Sequence, residues 1–205
     1  MYVIGVCGQS CSGKTKAVQS IIESLSNISQ VQNEILHATV ISQDSYYFPG
    51  HHETNFDVPE SIDFDLMISH VKMLMNGESV YAPIYDFTTH KRSKETKKLL
   101  PSKVLLIEGI LIFTSKELRD LMDLKVFISA YSELAFSRRL KRDVEERGRT
   151  ISQVTECYFR DVLPSSKCFV EPSESWADIV LKNNVQGKFI GLKILIDHIS
   201  TVLQK

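Results

Sequence analysis

The sequence predicts an α/β fold: a three-layer sandwich around a mostly parallel five-stranded sheet, with a projecting β-hairpin and an arginine-rich lid segment. Three observations lead there. Short β-rich runs alternate with longer segments of helical period along the 205 residues, the pattern of repeated strand and helix units. Most strand runs are apolar on successive residues rather than alternate ones, which requires burial on both faces, as in a parallel sheet covered by helices. A glycine-rich segment, Gly8 to Thr15, lies between the first strand and the first helix, at the sheet edge where open α/β folds place their ligands.

Taken in order, the predicted strands are Tyr2 to Cys7, Ala38 to Ile41, Val104 to Ile107, Lys125 to Ile128 and Asp178 to Leu181. Helical patterns cover Lys14 to Leu25, Ile62 to Met75, Ser115 to Met122, Ser132 to Glu146, Ile151 to Val162 and Gly191 to Leu203. In the second of these, Ile62, Leu66, Met67, Val71, Leu74 and Met75 form one apolar stripe, which reads as core. Thr150 followed by Gln153 has the form of a capping box, with the helix it starts expected to end near Pro164. Ser79 to Ser102 breaks the alternation: Val80, Tyr81, Ile84, Tyr85 and Phe87 precede a polar turn expected around Lys91 to Lys94, and the chain returns to Leu99 and Leu100. That is the expected hairpin (79–102). With no repeat, low-complexity tract or linker, residues 1–205 are expected to form a single domain, whose lid covers about 138–150.

Composition narrows the function. Hydrophobic residues make up 43% and charged residues 24%, an ordinary folded composition. Lys plus Arg (24) against Asp plus Glu (25) gives a net charge of −1, so no global field holds a polyanion. No nucleic-acid partner is expected despite the basic hairpin residues Lys91, Arg92, Lys94, Lys97 and Lys98. The ten-residue apolar run from Val104 to Phe113 contains Glu108 and is too short to span a bilayer, so no membrane partner is expected either. The N-terminus lacks the cationic segment of a secretory signal, and a cytoplasmic location is expected. Cys7, Cys11, Cys157 and Cys168 show no zinc spacing and read as thiols. His51 and His52 read as a polar loop.

Gly8-Gln9-Ser10-Cys11-Ser12-Gly13-Lys14-Thr15 fits G-x-x-x-x-G-K-[ST] in the confirming strand and helix context. Glycines let the backbone wrap an anion, successive N–H groups and the helix N-terminus supply positive potential, and Lys14 adds a point charge. The Thr15 hydroxyl is placed to ligate Mg²⁺. Val104 to Gly109 is a buried strand ending in an acid, Glu108, and such a carboxylate is costly unless it meets a cation. Glu108 is therefore the candidate Walker B acid; a helix-capping carboxylate is the competing role. Asp44, in Ser42-Gln43-Asp44-Ser45-Tyr46-Tyr47, falls at the carboxyl edge of the second strand and is the candidate base for a hydroxyl acceptor; the competing role is a turn cap. Arg138, Arg139, Lys141, Arg142, Arg147 and Arg149, interleaved with Asp143, Glu145 and Glu146, could be a solvated helix face. The hinge-like Arg147-Gly148-Arg149 suggests instead a lid that closes over a triphosphate. No Asn-Lys-x-Asp guanine motif accompanies the P-loop.

Asn55 to Pro59 and Pro83 to His90 combine aromatic rings with isolated polar groups, as a flat heterocycle carrying a hydroxylated sugar would demand. Through these segments, Gly8 to Thr15, Gln43 to Tyr47, Phe56-Asp57, Tyr85-Asp86-Phe87 with His90 and Arg92, Glu108 to Leu111, Ser137 to Arg139 with Arg142-Asp143, Glu146 to Arg149, and Trp176 to Ile179, the chain resembles the uridine kinase (uridine-cytidine kinase) family of P-loop kinases. The resemblance implies transfer of the ATP γ-phosphoryl group to the 5′-hydroxyl of uridine or cytidine, in pyrimidine salvage, with Asp44 and Lys14 catalytic. It implies ATP binding by Gly8, Ser10, Ser12, Gly13, Lys14, Thr15, Arg142, Arg147 and Arg149, and Mg²⁺ at Thr15 and Glu108. Asp57 and Arg139 would hold the ribose, Tyr85 and His90 would address the pyrimidine, and Tyr47, Phe56 and Phe87 would wall the ring. A homotetramer and feedback inhibition by pyrimidine triphosphates are implied as well. The sequence departs from the family at Val58, Cys157 and Leu163 and in the short loop Phe48 to Thr54, which points to a raised acceptor KM. The alternative acceptor classes are nicotinamide riboside and a phosphorylated sugar.

Overall fold

The computed structural model describes residues 1–32, 38–184 and 186–203. Its main sheet is built on β1 (Tyr2–Gly8), which pairs in parallel with β5 (Val104–Gly109) on one side and β6 (Leu124–Ser129) on the other. Outside β5 lies β2 (Ala38–Ser42), and outside β6 lies β7 (Ile179–Asn183), both parallel. The most apolar runs take the central places. Successive residues of β1 alternate between two cores: Val3 and Cys7 face one, Ile4 and Val6 the other. α1 (Lys14–Gln32) and α7 (Leu192–Leu203) cover the second core through Ala17, Val18, Ile21, Leu25, Leu195 and Ile199. α2 (Phe64–Met75) covers the first through Met67, Ile68, Val71 and Leu74, and α3 (Lys116–Asp120) adds Leu118. These are the three expected layers.

Among the described residues the sheet has six strands, one more than expected: β8 (Phe189–Ile190) pairs antiparallel with β7. Two residues cannot display a period, so no sequence pattern announces it. A tight turn returns the chain there, with Asn184 Oδ1 accepting from the Lys188 N–H at 2.9 Å.

The hairpin is present as β3 (Val80–Asp86) and β4 (Lys91–Leu99), a separate antiparallel pair whose Val80, Ala82, Tyr85 and Leu99 join the first core. Its turn, however, lies at residues 87–90, before Lys91 to Lys94. The Asp86 carboxylate accepts from the Thr88 N–H at 2.8 Å and from the hydroxyls of Thr88 and Thr89 at 2.6 and 2.8 Å. That local capture closes the turn early, with His90 in the left-handed region at φ 53°. The lysines are strand residues exposed to water.

Beyond α4 (Ser132–Glu145), the Thr150 capping box forms as expected and starts α5 (Ile151–Cys157). The helical path does not stop near Pro164. It continues through a π-helical stretch (Tyr158–Val162), α6 (Leu163–Ser165) and a second π-helical stretch (Ser166–Val170). Pro164 lies between the two π-helical stretches, and it is accommodated because the Leu163 N–H bonds the Tyr158 carbonyl, five residues back, instead of keeping α register. Among the described residues no helix is long and apolar enough to cross a membrane.

Candidate active site

The parallel register carries the three phosphate-site segments to one edge. Val6 of β1 pairs with Glu108 of β5, which also pairs with Ser42 of β2. The P-loop after Gly8, the turn Gln43–Tyr46 and the loop after Gly109 therefore emerge side by side. Gly13 has φ +105°, and a Cβ there would lie 2.4 Å from Asn183 Nδ2. Asn183, at the end of β7, donates to the Ser12 carbonyl at 2.6 Å and clamps the loop. Lys14 is buried, its Nζ donating to the carbonyls of Gly8 and Gln9 at 3.0 and 2.9 Å. Ser10 Oγ accepts from Arg139 Nη1 at 3.0 Å.

Glu108 is buried beside these groups. Burial pushes its carboxyl above the usual range, the charge of Asp44 pushes it further, and Lys14 and a 2.6 Å hydrogen bond from the Ser42 hydroxyl pull it back. Gln43 is fully buried, and its Oε1 accepts from the Leu111 N–H at 2.7 Å. This amide ties the turn that carries Asp44 to the loop that follows Glu108. A Cβ on Gly109 would lie 2.3 Å from that oxygen, so the tie requires glycine.

Opposite lies a box of rings. Tyr47 meets Phe56, Tyr85 and Phe87 at centroid distances of 5.5, 5.4 and 6.4 Å, and His90 stacks on Phe56 at 5.2 Å with an interplanar angle of 11°. Arg92 fixes this box to the sheet edge. Its Nε and Nη2 donate to the Tyr47 and Tyr46 carbonyls at 3.0 and 2.9 Å, and its Nη1 bonds Asp63, the N-cap of α2, at 3.0 Å. The Tyr85 hydroxyl is buried without a hydrogen-bond partner among the described residues. Part of Asp57 faces the cleft, yet enough protein encloses it that burial pushes its carboxyl up against the pull of Arg139. Burial also drives the Tyr47 phenol well up, helped by the charges of Asp44 and Asp57.

One cleft of about 810 Å³ joins the two halves, a volume suited to a small-molecule complex. Lys14, Thr15, Asp44 and Glu108 line one end, and Tyr47, Phe56, Asp57, Tyr85, Phe87 and His90 the other, with Arg139, Arg142, Arg147 and Arg149 alongside. The residues singled out from sequence thus gather in one place, with Gly8 and Ser12 in the P-loop wall behind them. Among the described residues no group of three or more His, Cys, Asp or Glu side chains gathers as a metal site.

Sequence reasoning passed over Ser42, Gln43 and Asn183, whose importance depends on which strand each meets. It also passed over the cleft residues Gln153, Glu156, Arg160 and Asp161 on the helix after the lid segment. For the last four, the only signal was the spacing of polar residues on one helical face.

The sequence profile of the phosphoribulokinase / uridine kinase family matches residues 3–188. A uridine kinase of Lactococcus lactis subsp. cremoris (strain MG1363) is 38% identical, covering 98% of this chain and 97% of the relative. A uridine kinase of Bacillus subtilis (strain 168) is 38% identical over 99% and 95%. The solved phosphoribulokinase of Rhodobacter spheroides is only 14% identical but superposes with a TM-score of 0.61 over 88% of this chain and 69% of that one, a likeness of fold. A P-loop at the centre of a mostly parallel sheet, an acid at the neighbouring strand end and 38% identity to uridine kinases over nearly the whole chain lead to one conclusion: this chain belongs to the phosphoribulokinase / uridine kinase family.

Proposed function

We propose that the protein is a nucleoside kinase that transfers the γ-phosphoryl group of ATP to the 5′-hydroxyl of uridine or cytidine. The observation that carries this reading is the continuity of the cleft: a phosphate cradle at one end and an aromatic box whose Tyr85 hydroxyl has no hydrogen-bond partner among the described residues at the other, with Asp44 among the residues that line it. ATP as donor follows from the family. The aromatic box suits a flat base, and its polar groups suit a sugar.

In this reading Gly8, Ser10, Ser12 and Gly13 wrap the phosphates by their backbone N–H groups, and Lys14 supplies a fixed charge. Asp44 orients the acceptor hydroxyl and takes its proton as the new bond forms. Asp57 and Arg139 hold the ribose hydroxyls, Tyr85 and His90 meet the base edge, and Tyr47, Phe56 and Phe87 enclose the ring. Arg142, Arg147 and Arg149 close over the phosphates as a lid (138–150). A buried carboxylate whose ionisation is opposed by its surroundings suits a cation, so Thr15 and Glu108 would hold Mg²⁺, which would neutralise charge on the phosphate oxygens. The whole of 1–205, with the hairpin (79–102) as acceptor wall, acts as one domain. A homotetramer and a cytoplasmic location complete the proposal, the latter supported by four unpaired cysteines.

The test is a pair of variants. Asp44→Asn should keep ATP binding while lowering kcat by about 10² to 10⁴; near-normal kcat would refute the base. Lys14→Ala should weaken ATP and lower kcat together, because the lysine meets phosphates in ground and transition states alike.

A further inference from the structure

Asp143, on α4, has no exposed surface, and four guanidiniums converge on it. Arg142 Nη2 and Arg147 Nη1 lie 2.8 and 3.6 Å from Oδ1. Arg149 Nη1 and Arg139 Nε lie 3.4 and 3.7 Å from Oδ2. The backbone reinforces the arrangement: the Arg149 N–H donates to the Asp143 carbonyl at 3.0 Å, after Gly148, at φ +64°, has turned the chain.

One carboxylate cannot neutralise four guanidiniums. Asp57 also attracts Arg139 and Asp44 attracts Arg147, but four guanidiniums against these three carboxylates still leave a surplus of positive charge, and all four arginines line the cleft. They also reach both of its ends. Arg139 touches Ser10 of the P-loop and is the main attraction on Asp57, while the Arg147 guanidinium sits 4.3 Å from the ring centroid of Phe87 in the aromatic box. Packed together without a counter-ion, like charges at such distances repel and would disperse into solvent. Burial opposes ionisation of Asp143, but the arginines, Arg142 foremost, hold its carboxyl below the usual range.

We propose that Asp143 is a positioning residue: it gathers the lid arginines into a preformed cluster and cedes them to the triphosphate when the donor enters. The proposal rests on the reading of the cleft as a kinase site. Its consequence separates binding from turnover. Without the carboxylate the arginines carry more net charge and attract an anion more strongly, but they are no longer aimed, and transition-state stabilisation depends on aim.

Asp143→Asn keeps the side-chain shape and removes the charge. Calorimetry with inorganic tripolyphosphate should give an affinity about 3- to 10-fold tighter than wild type, while kcat falls by about 10- to 100-fold. A merely structural role would weaken tripolyphosphate binding and lower kcat together, which would overturn the proposal. In wild-type protein with ¹⁵N-labelled arginine, the Nε–Hε signals of Arg142, Arg147 and Arg149 should move together on adding tripolyphosphate. Stationary signals at saturating tripolyphosphate overturn the proposal even if the variant fails to fold. A wild-type protein that binds no tripolyphosphate brings down the reading of the cleft along with the proposal.

Discussion

The Ser42 hydroxyl donates a 2.6 Å hydrogen bond to Glu108 Oε1 across the register pair that joins β2 to β5. The strand that delivers the candidate base is thereby tied to the acid proposed to hold the metal, one residue before the turn that contains Asp44.

Ser42→Ala should leave the fold intact and free the Glu108 carboxylate to rotate. Loss of a hydrogen bond that orients a metal-ligating group typically costs about 10- to 100-fold in metal affinity. The Mg²⁺ concentration giving half-maximal rate should rise accordingly, with the ATP-saturated rate largely recovered at high Mg²⁺. An unchanged Mg²⁺ requirement would detach Ser42 from the metal.

Gly109→Ala forces a Cβ to within 2.3 Å of Gln43 Oε1 and 2.4 Å of Gln43 Cβ. Neither neighbour can withdraw cheaply, because Gln43 is fully buried and its Oε1 holds the Leu111 N–H. Overpacking of this kind costs about 1 to 3 kcal/mol, a fall in Tm of roughly 2 to 12 °C for a chain of this size. Calorimetry reads the Tm, and kcat should fall with it, since the same contact sets Asp44 against Glu108.

Tyr85→Phe removes a buried hydroxyl that has no hydrogen-bond partner among the described residues. Leaving such a group unpaired costs free energy, so the variant should be as stable as wild type or more so. If that hydroxyl meets the nucleoside, its loss should raise the nucleoside KM by about 5- to 150-fold while the ATP KM stays put. Steady-state kinetics on both substrates checks this.

Asp57 gives a pH signature. Its carboxyl is raised above the ordinary value chiefly by burial, so the folded state favours the protonated acid. The stability this contributes is fully present below the unfolded pKa and is lost as pH rises through the folded one. Asp57→Asn should therefore melt higher than wild type at pH 7, with the gap shrinking at acidic pH, and should lose its preference for ribonucleosides over deoxyribonucleosides. Equal melting temperatures across the pH range would contradict the burial argument.

How much of this was legible in the sequence follows the distance over which each feature is determined. Gly8 to Thr15, the buried run ending in Glu108 and the Thr150 capping box are written in neighbouring residues, and each appears where expected. The turn at 87–90 was also local, but the competing Lys-rich stretch looked more turn-like than the Asp86-Phe87-Thr88-Thr89 capture that forms it. Ser42, Gln43 and Asn183 acquire their roles from partners 66, 68 and 171 residues away, which no period encodes. Asp143 was visible only as one acid in a mixed-charge helix; Arg139, Arg142 and Arg147 reach it through neighbouring and i,i+4 spacing, and Arg149 joins because the chain turns back after Gly148.

The most direct measurement is kcat/KM for ATP-dependent phosphorylation of uridine, cytidine, deoxycytidine, adenosine and nicotinamide riboside, with wild-type protein and His90→Ala side by side. Uridine and cytidine should lead, deoxycytidine should trail cytidine, and His90→Ala should erode the preference for pyrimidines while sparing the ATP KM. A purine nucleoside or nicotinamide riboside outrunning uridine and cytidine, or a base preference untouched by His90→Ala, would contradict the assignment of the aromatic box to a pyrimidine ribonucleoside.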